Sequence, residues 1–184
     1  NHPRVRDSFK KPGYVVELAG FPALSKYRKK VLKVEVPQFF GGASVAHVAF
    51  SFAAYITTGA IALIGQDVAY TDNLTHARTN RLAREIDEKF IVKRQAFKVE
   101  SYDGGEVWTT DNLNSMRLGF EDLIKVSPID NKFYNCTEGG AKIYGFEQIP
   151  FKQFCEEYAS IEPVEIVDHL QSTKHYDSGV ILKQ

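Results

Sequence analysis

The stretch Ala60-Ile61-Ala62-Leu63-Ile64 constrains this chain most. It is a short continuous apolar run with no polar alternation, which is what a strand covered on both faces of a parallel sheet requires. It sits inside Gly41–Ala77, GGASVAHVAFSFAAYITTGAIALIGQDVAYTDNLTHA, which reads as glycine turn, buried helix, buried strand and polar loop. Gly65-Gln66-Asp67 follows the strand at once. Ligands of open α/β sheets bind beyond the carboxyl ends of the strands, so Gln66 and Asp67 are contact candidates; Asp67 as a simple cap of the turn is the other reading.

With 184 residues the chain is long enough for a single α/β domain over 1–184 and short for two. Its 23 basic and 23 acidic side chains cancel, which removes any global electrostatic case for nucleic acid or an anionic membrane surface as partner. No apolar run approaches the length of a membrane span, so a soluble protein is expected. Cys136 and Cys155 have no metal-like spacing; neither a zinc site nor a disulfide scaffold is suggested, and the reducing cytoplasm is the expected compartment. No signal peptide opens the chain, and Asn1 in place of an initiator methionine points to a fragment or a processed form.

Along the chain, Val15–Leu18 and Val31–Val36 read as strands around the basic stretch Lys26–Lys30, with Pro37 ending the second. A helix is expected over about Ala43–Thr57, stopped by Gly59 and apolar on nearly all sides, with Val45, Val48, Ala49, Phe52 and Ile56 at helical spacing. Ser44, His47, Ser51 and Tyr55 form a narrow polar stripe on it. That stripe either faces a ligand or faces solvent and bonds internally. Gly41-Gly42 allows close backbone approach before a helix start, whose free N–H groups favour a phosphate or carboxylate.

The loop Asp67–Thr79 is dense in Asp67, Tyr70, Thr71, Asp72, Asn73, Thr75 and His76. His76 suits a general acid or base, oriented by Asp67 or Asp72, although a lone loop histidine is more often a surface residue or a cap. Asn80–Phe90, with Leu82, Ile86 and Phe90 four apart, reads as an amphipathic helix. Arg78, Arg81 and Arg84 form either a basic rim for an anionic ligand or a solvated face. Phe97–Glu100 and Glu106–Thr109 flank Asp103-Gly104-Gly105 as a hairpin. Thr110 or Asp111 can cap a helix whose core stripe is Leu113, Met116, Phe120 and Ile124. Phe133–Cys136 is a strand running into a second polar loop, where Asn135, Thr137 and Glu138 precede Gly139-Gly140. Helices are expected over about Phe151–Ala159 and Pro163–Leu170, and 172–184 is a tail or an edge strand.

Four segments, GGASVAHVAFSFAAYI, IALIGQDVAYTDNLTHA, the WTTD helix start and YNCTEGGAKIYGF, together resemble the motility accessory factor family, within the broader hydroxymethylpterin diphosphokinase-like family. Its members are flagellin glycosyltransferases. The resemblance implies a Rossmann-like, sialyltransferase-like α/β fold with a mostly parallel sheet flanked by helices. It implies transfer of a nonulosonic acid such as pseudaminic or legionaminic acid from a CMP-sugar to serine or threonine hydroxyls of flagellin, without cofactor or metal. Its site positions here are Gly41, Gly42, Ser44, Gly65, Gln66, Asp67, Tyr70, His76, Asn135, Thr137, Glu138, Gly139 and Gly140. His76 is the expected base for the acceptor hydroxyl, with Asp67 second, and the others bind nucleotide or sugar.

The family's N-terminal Gly-Pro-Ser-Leu segment has no counterpart; the nearest string is Gly20-Phe21-Pro22-Ala23-Leu24. The chain is therefore expected to be the C-terminal part of a larger catalytic domain, incomplete at its N-terminus and inactive in isolation. The broader family also implies an alternative, pyrophosphoryl transfer from ATP with magnesium on Asp67 and Glu138. A non-catalytic partner-binding module is the third reading.

Overall fold

The computed structural model describes residues 17–19, 22–33, 38–127 and 131–159. The expected positions Val15 and Val16, the helix Pro163–Leu170 and the tail 172–184 lie outside the described residues. The chain is a mixed α/β structure. A parallel strand pair, β1 (Glu17–Ala19) and β2 (Gln38–Phe40), is joined through helix α1 (Pro22–Leu32). Helix α2 (Val45–Ile56) leads into β3 (Ala60–Leu63), and a loop with a single 3-10 turn at Thr71–Asn73 leads to α3 (Glu88–Arg94). The antiparallel hairpin of β4 (Phe97–Glu100) and β5 (Glu106–Thr109) feeds α4 (Asp111–Lys125). Strands β6 (Lys132–Asn135) and β7 (Glu147–Gln148) then precede α5 (Phe151–Tyr158).

The core sheet runs β3-β6-β7, all parallel, with Leu63 opposite Asn135 and Asn135 opposite Gln148. Helices cover both of its faces, as a parallel sheet demands. Ile61 and Leu63 enter one cluster with Phe50 and Ala54 of α2 and Phe120 of α4, joined by Ile143 and Phe146. Phe50 packs against Phe133 and Phe146 with ring centroids 5.4 and 5.6 Å apart. On the other face Ala60 and Ala62 meet Tyr134, Cys136 and Ile149 beneath Phe154 and Tyr158 of α5. Among the described residues no helix is long and apolar enough to cross a membrane.

Three expectations are corrected. Val31 and Leu32 end helix α1 rather than open a strand; a proline at its first position and Lys29 and Lys30 in its last turn favour the helix, while Val34–Val36 of the expected strand lie outside the described residues. Of the segment Asn80–Phe90 only Glu88–Phe90 is helical, as the first turn of α3. Asn80 Oδ1 takes the Leu82 N–H at 2.8 Å within turns over 78–82, then Leu74 bridges Glu85 and Ile86 N–H reaches Asn73 O at 2.9 Å, before Asp87 caps α3. Third, the buried stripe of α2 is His47, Phe50 and Ala54, while Val45 is 85% exposed.

The reason lies with His47, 0% exposed. Its Nδ1 accepts the Ser44 N–H at 3.1 Å, and Ser44 Oγ accepts the Ala46 N–H at 3.2 Å, so the helix start is closed by its own side chains. Nε2 donates to Met116 O on α4 at 2.8 Å, which sets the Nε2–H tautomer. The ring fits only because both flanks are glycine. A Cβ on Gly42 would lie 2.5 Å from Nδ1, and one on Gly119 2.8 Å from Nε2.

A polar clamp ties the hairpin to the loop before β7. Lys142 Nζ and Tyr144 Oη donate to the two oxygens of Glu100 at 2.6 and 2.5 Å, while Glu121 takes the Tyr144 N–H at 3.0 Å and pairs with Arg117. The hydrogen bonds from Lys142, then Tyr144, hold the Glu100 carboxyl below its ordinary value. A carboxyl depressed on folding stabilises the protein above its unfolded pKa, and that contribution fades as pH falls through the folded one. Glu100→Gln is therefore expected to flatten the loss of Tm below about pH 4.5; superimposable acid limbs for the two proteins would refute this.

Candidate functional site

Parallel pairing of β3 with β6 brings the two polar loops together at one sheet end. Cys136 N–H donates to Leu63 O at 2.8 Å, and Gln66 N–H to Thr137 Oγ1 at 3.0 Å. Ala141 N–H reaches Asp67 O at 2.9 Å, so the backbone of Asp67 carries the loop from β6. Gly140 is folded onto it so closely that a Cβ there would lie 2.2 Å from Asp67 O. The side chain of Asp67 is half-buried, and its Oδ2 takes the Thr71 hydroxyl at 2.5 Å. Thr71 in turn lies under Gly139, where a Cβ would be 3.2 Å from its Cγ2.

The hairpin supports this end from the side. Tyr70 N–H donates to Trp108 O at 2.8 Å, and Thr109 Oγ1 to Val68 O at 3.0 Å. Tyr102 N–H bonds Gly140 O at 2.9 Å. The chain is bent hard here. Val68, Asp72, Asn73 and Glu138 all have positive φ, and Val68 at φ 44° is a buried β-branched residue in a region it rarely occupies. Such strain persists only where surrounding structure imposes it, and it collects at functional sites.

Asn135 is the centre of the group. It is 0% exposed, and its Oδ1 accepts the Thr137 N–H at 3.1 Å, which fixes the amide's orientation. Its Nδ2 has no partner. Gln148, its register partner on β7, also has a buried Nε2 with no partner. Nothing in the sequence marked Gln148: β7 is two residues long, too short for any periodicity to show.

The remaining candidates fall elsewhere. Glu138 is exposed, and its Oε1 takes the Phe151 N–H at 2.7 Å, at the start of α5. His76 is exposed on the outer loop, with Nδ1 3.1 Å from Thr75 Oγ1, and belongs to no hydrogen bond of the sheet end. Gly42 and Ser44 are assembled around His47, and Gly41 before them is exposed. Gln66 contributes its backbone, while its side chain folds back onto Gly65 O at 3.3 Å. Tyr70 Oη is 3.4 Å from Thr110 Oγ1. Arg78, Arg81 and Arg84 are exposed, and Arg78 pairs with Asp72 at 3.2 Å.

Cys136 lies on the opposite sheet face, where burial pushes its thiol up and keeps it protonated, a poor nucleophile. Among the described residues no group of three or more His, Cys, Asp and Glu side chains is gathered as a metal centre would need. Comparison with models of protein families, with curated proteins and with solved structures finds no match.

Proposed function

We propose that this sheet end is the donor site of a glycosyltransferase with a Rossmann-like, sialyltransferase-like fold, moving a nonulosonic acid from a CMP-sugar to serine or threonine hydroxyls of flagellin. The observation that carries the reading is the enclosed, unpartnered Nδ2 of Asn135 beside the carboxyl ends of β3 and β6. A buried amide donor with nothing to bond costs about 1–3 kcal/mol, and a ligand acceptor would recover it. The place is where open α/β sheets hold nucleotides.

In the transfer, the acceptor oxygen forms a bond to the anomeric carbon as the bond from that carbon to the CMP phosphate oxygen breaks. The hydroxyl proton passes to a base, and CMP leaves with the electron pair. Of the two base candidates the geometry favours Asp67, held at the strand end by Thr71, over His76 on the exposed loop. The magnesium–ATP reading gains no support, since the carboxylates it would use are engaged apart, Asp67 with Thr71 and Glu138 with Phe151.

The test is calorimetry and turnover with CMP, a CMP-nonulosonic acid and magnesium–ATP, on the protein in its full natural length. CMP-selective binding is expected. Asp67→Asn keeps an acceptor for Thr71 and is expected to leave CMP affinity intact while lowering transfer by about 10²–10⁴-fold. Binding of magnesium–ATP in place of CMP, or unchanged transfer by Asp67→Asn, would overturn the assignment.

A further inference from the structure

We propose that Gln148 and Asn135 together form a pair of amide donors that reads the uncharged acceptor edge of a pyrimidine base. This rests on the donor-site reading and says which part of the nucleotide lies over β6 and β7. The two residues are register partners on adjacent parallel strands, so their side chains leave the same face side by side. That face is also Leu63's, the partner of Asn135 on β3. Among the described residues the buried side-chain atoms without a partner are Asn131 Oδ1, Asn135 Nδ2 and Gln148 Nε2. Two of those three are neighbouring donors at one end of the sheet, whereas Asn131 precedes the other end of β6. Native interiors pair nearly all such atoms, and a ligand that accepts from both of these would satisfy them together.

Charge selects the class of ligand. Asp67 follows β3 at this end, and among the described residues no lysine or arginine hydrogen-bonds or ion-pairs with Asn135, Gln148 or Asp67. A phosphate held by neutral amides with no cation paired to them and the Asp67 carboxylate at the same sheet end would be disfavoured, whereas a carbonyl edge carries no net charge. A pyrimidine offers such an edge: O2 with N3 in cytosine, O2 and O4 in uracil. Gln148 is the half-buried member on the short outer strand, while Asn135 is enclosed and braced by Thr137.

The experiment titrates the full chain, and its Gln148→Met variant, with cytidine, CMP and inorganic phosphate by calorimetry, and records both melting curves. Cytidine and CMP are expected to bind and phosphate alone not to. Gln148→Met should weaken cytidine and CMP alike by about tenfold and raise Tm by about 2–4 °C, because an apolar side chain replaces a donor with no partner. A purely structural glutamine would lower Tm when lost, and that result overturns the proposal. So does unchanged CMP affinity, or phosphate competing with CMP while cytidine does not bind. Cytidine binding without any use of a CMP-sugar would refute the glycosyltransferase reading and leave the base site standing; no binding by any of the three refutes the base site.

Discussion

Gly140→Ala is expected to lower stability by about 3–5 kcal/mol, a drop in Tm on the order of 10 °C. Gly140 sits at φ +74°, where an L side chain is already strained, and the new Cβ would meet the carbonyl oxygen, Cα and carbonyl carbon of Asp67 at 2.2, 2.5 and 2.7 Å. Those are backbone atoms. They cannot swing aside, and Ala141 N–H holds the same carbonyl at 2.9 Å, so relief requires parting the two loops. Gly104→Ala is the control: its φ is +88° but nothing lies within 4 Å, and a loss of about 1 kcal/mol is expected. Thermal unfolding of both variants decides the matter. Equal losses would mean that backbone conformation alone, and not the contact with Asp67, governs Gly140. Because the same contact sets Asp67 in place, CMP binding is expected to fall with Gly140→Ala and not with Gly104→Ala.

His47→Ala is the second large effect, about 3–4 kcal/mol, from loss of a fully buried ring, of the bond to Met116 O and of the cap on Ser44 N–H. Its partner glycine gives a sharper test. Gly119→Ala in the natural protein drives a Cβ to within 2.8 Å of His47 Nε2 and is expected to destabilise by about 2 kcal/mol. Within His47→Ala the same change has room, fills part of the cavity and replaces a mid-helix glycine, so it should stabilise by about 1 kcal/mol. A double-mutant cycle by urea unfolding would show that reversal of sign as a coupling of about 3 kcal/mol. Additive effects would mean that His47 does not occupy the notch between Gly42 and Gly119.

What could be read along the chain was what neighbouring residues decide. Ala60–Leu63 of the apolar run is β3, with Ile64 exposed beyond it, the Asp103-Gly104-Gly105 turn joins β4 to β5, and Met116, Phe120 and Ile124 line the core stripe of α4. The short loops after β3 and β6 were legible because glycine and polar residues follow apolar ones there. Patterns that two structures can satisfy misled. Leu82, Ile86 and Phe90 have helical spacing, yet Asn73 and Leu74 draw that stretch into an extended bridge before Asp87 caps the helix. Val31 and Leu32 look like the opening of a strand, although the residues before them carry a helix through Leu32.

His47 looked like part of a polar stripe because periodicity records polarity and not what a facing helix offers. Its burial depends on Gly119 and Met116 O, which belong to α4 and come near only on folding. The candidate site divides in the same way. Local sequence determined that Gln66, Asp67, Asn135 and Thr137 stand at strand ends, since strand and turn preferences act over a few residues. Only the tertiary structure decided that Asp67 supports Gly140 and Ala141, that Asn135 and Gln148 lie side by side with unpartnered donors, and that His76 stays apart. Parallel pairing joins segments far apart in sequence, and whether a buried polar atom finds a partner is settled by every element packed around it.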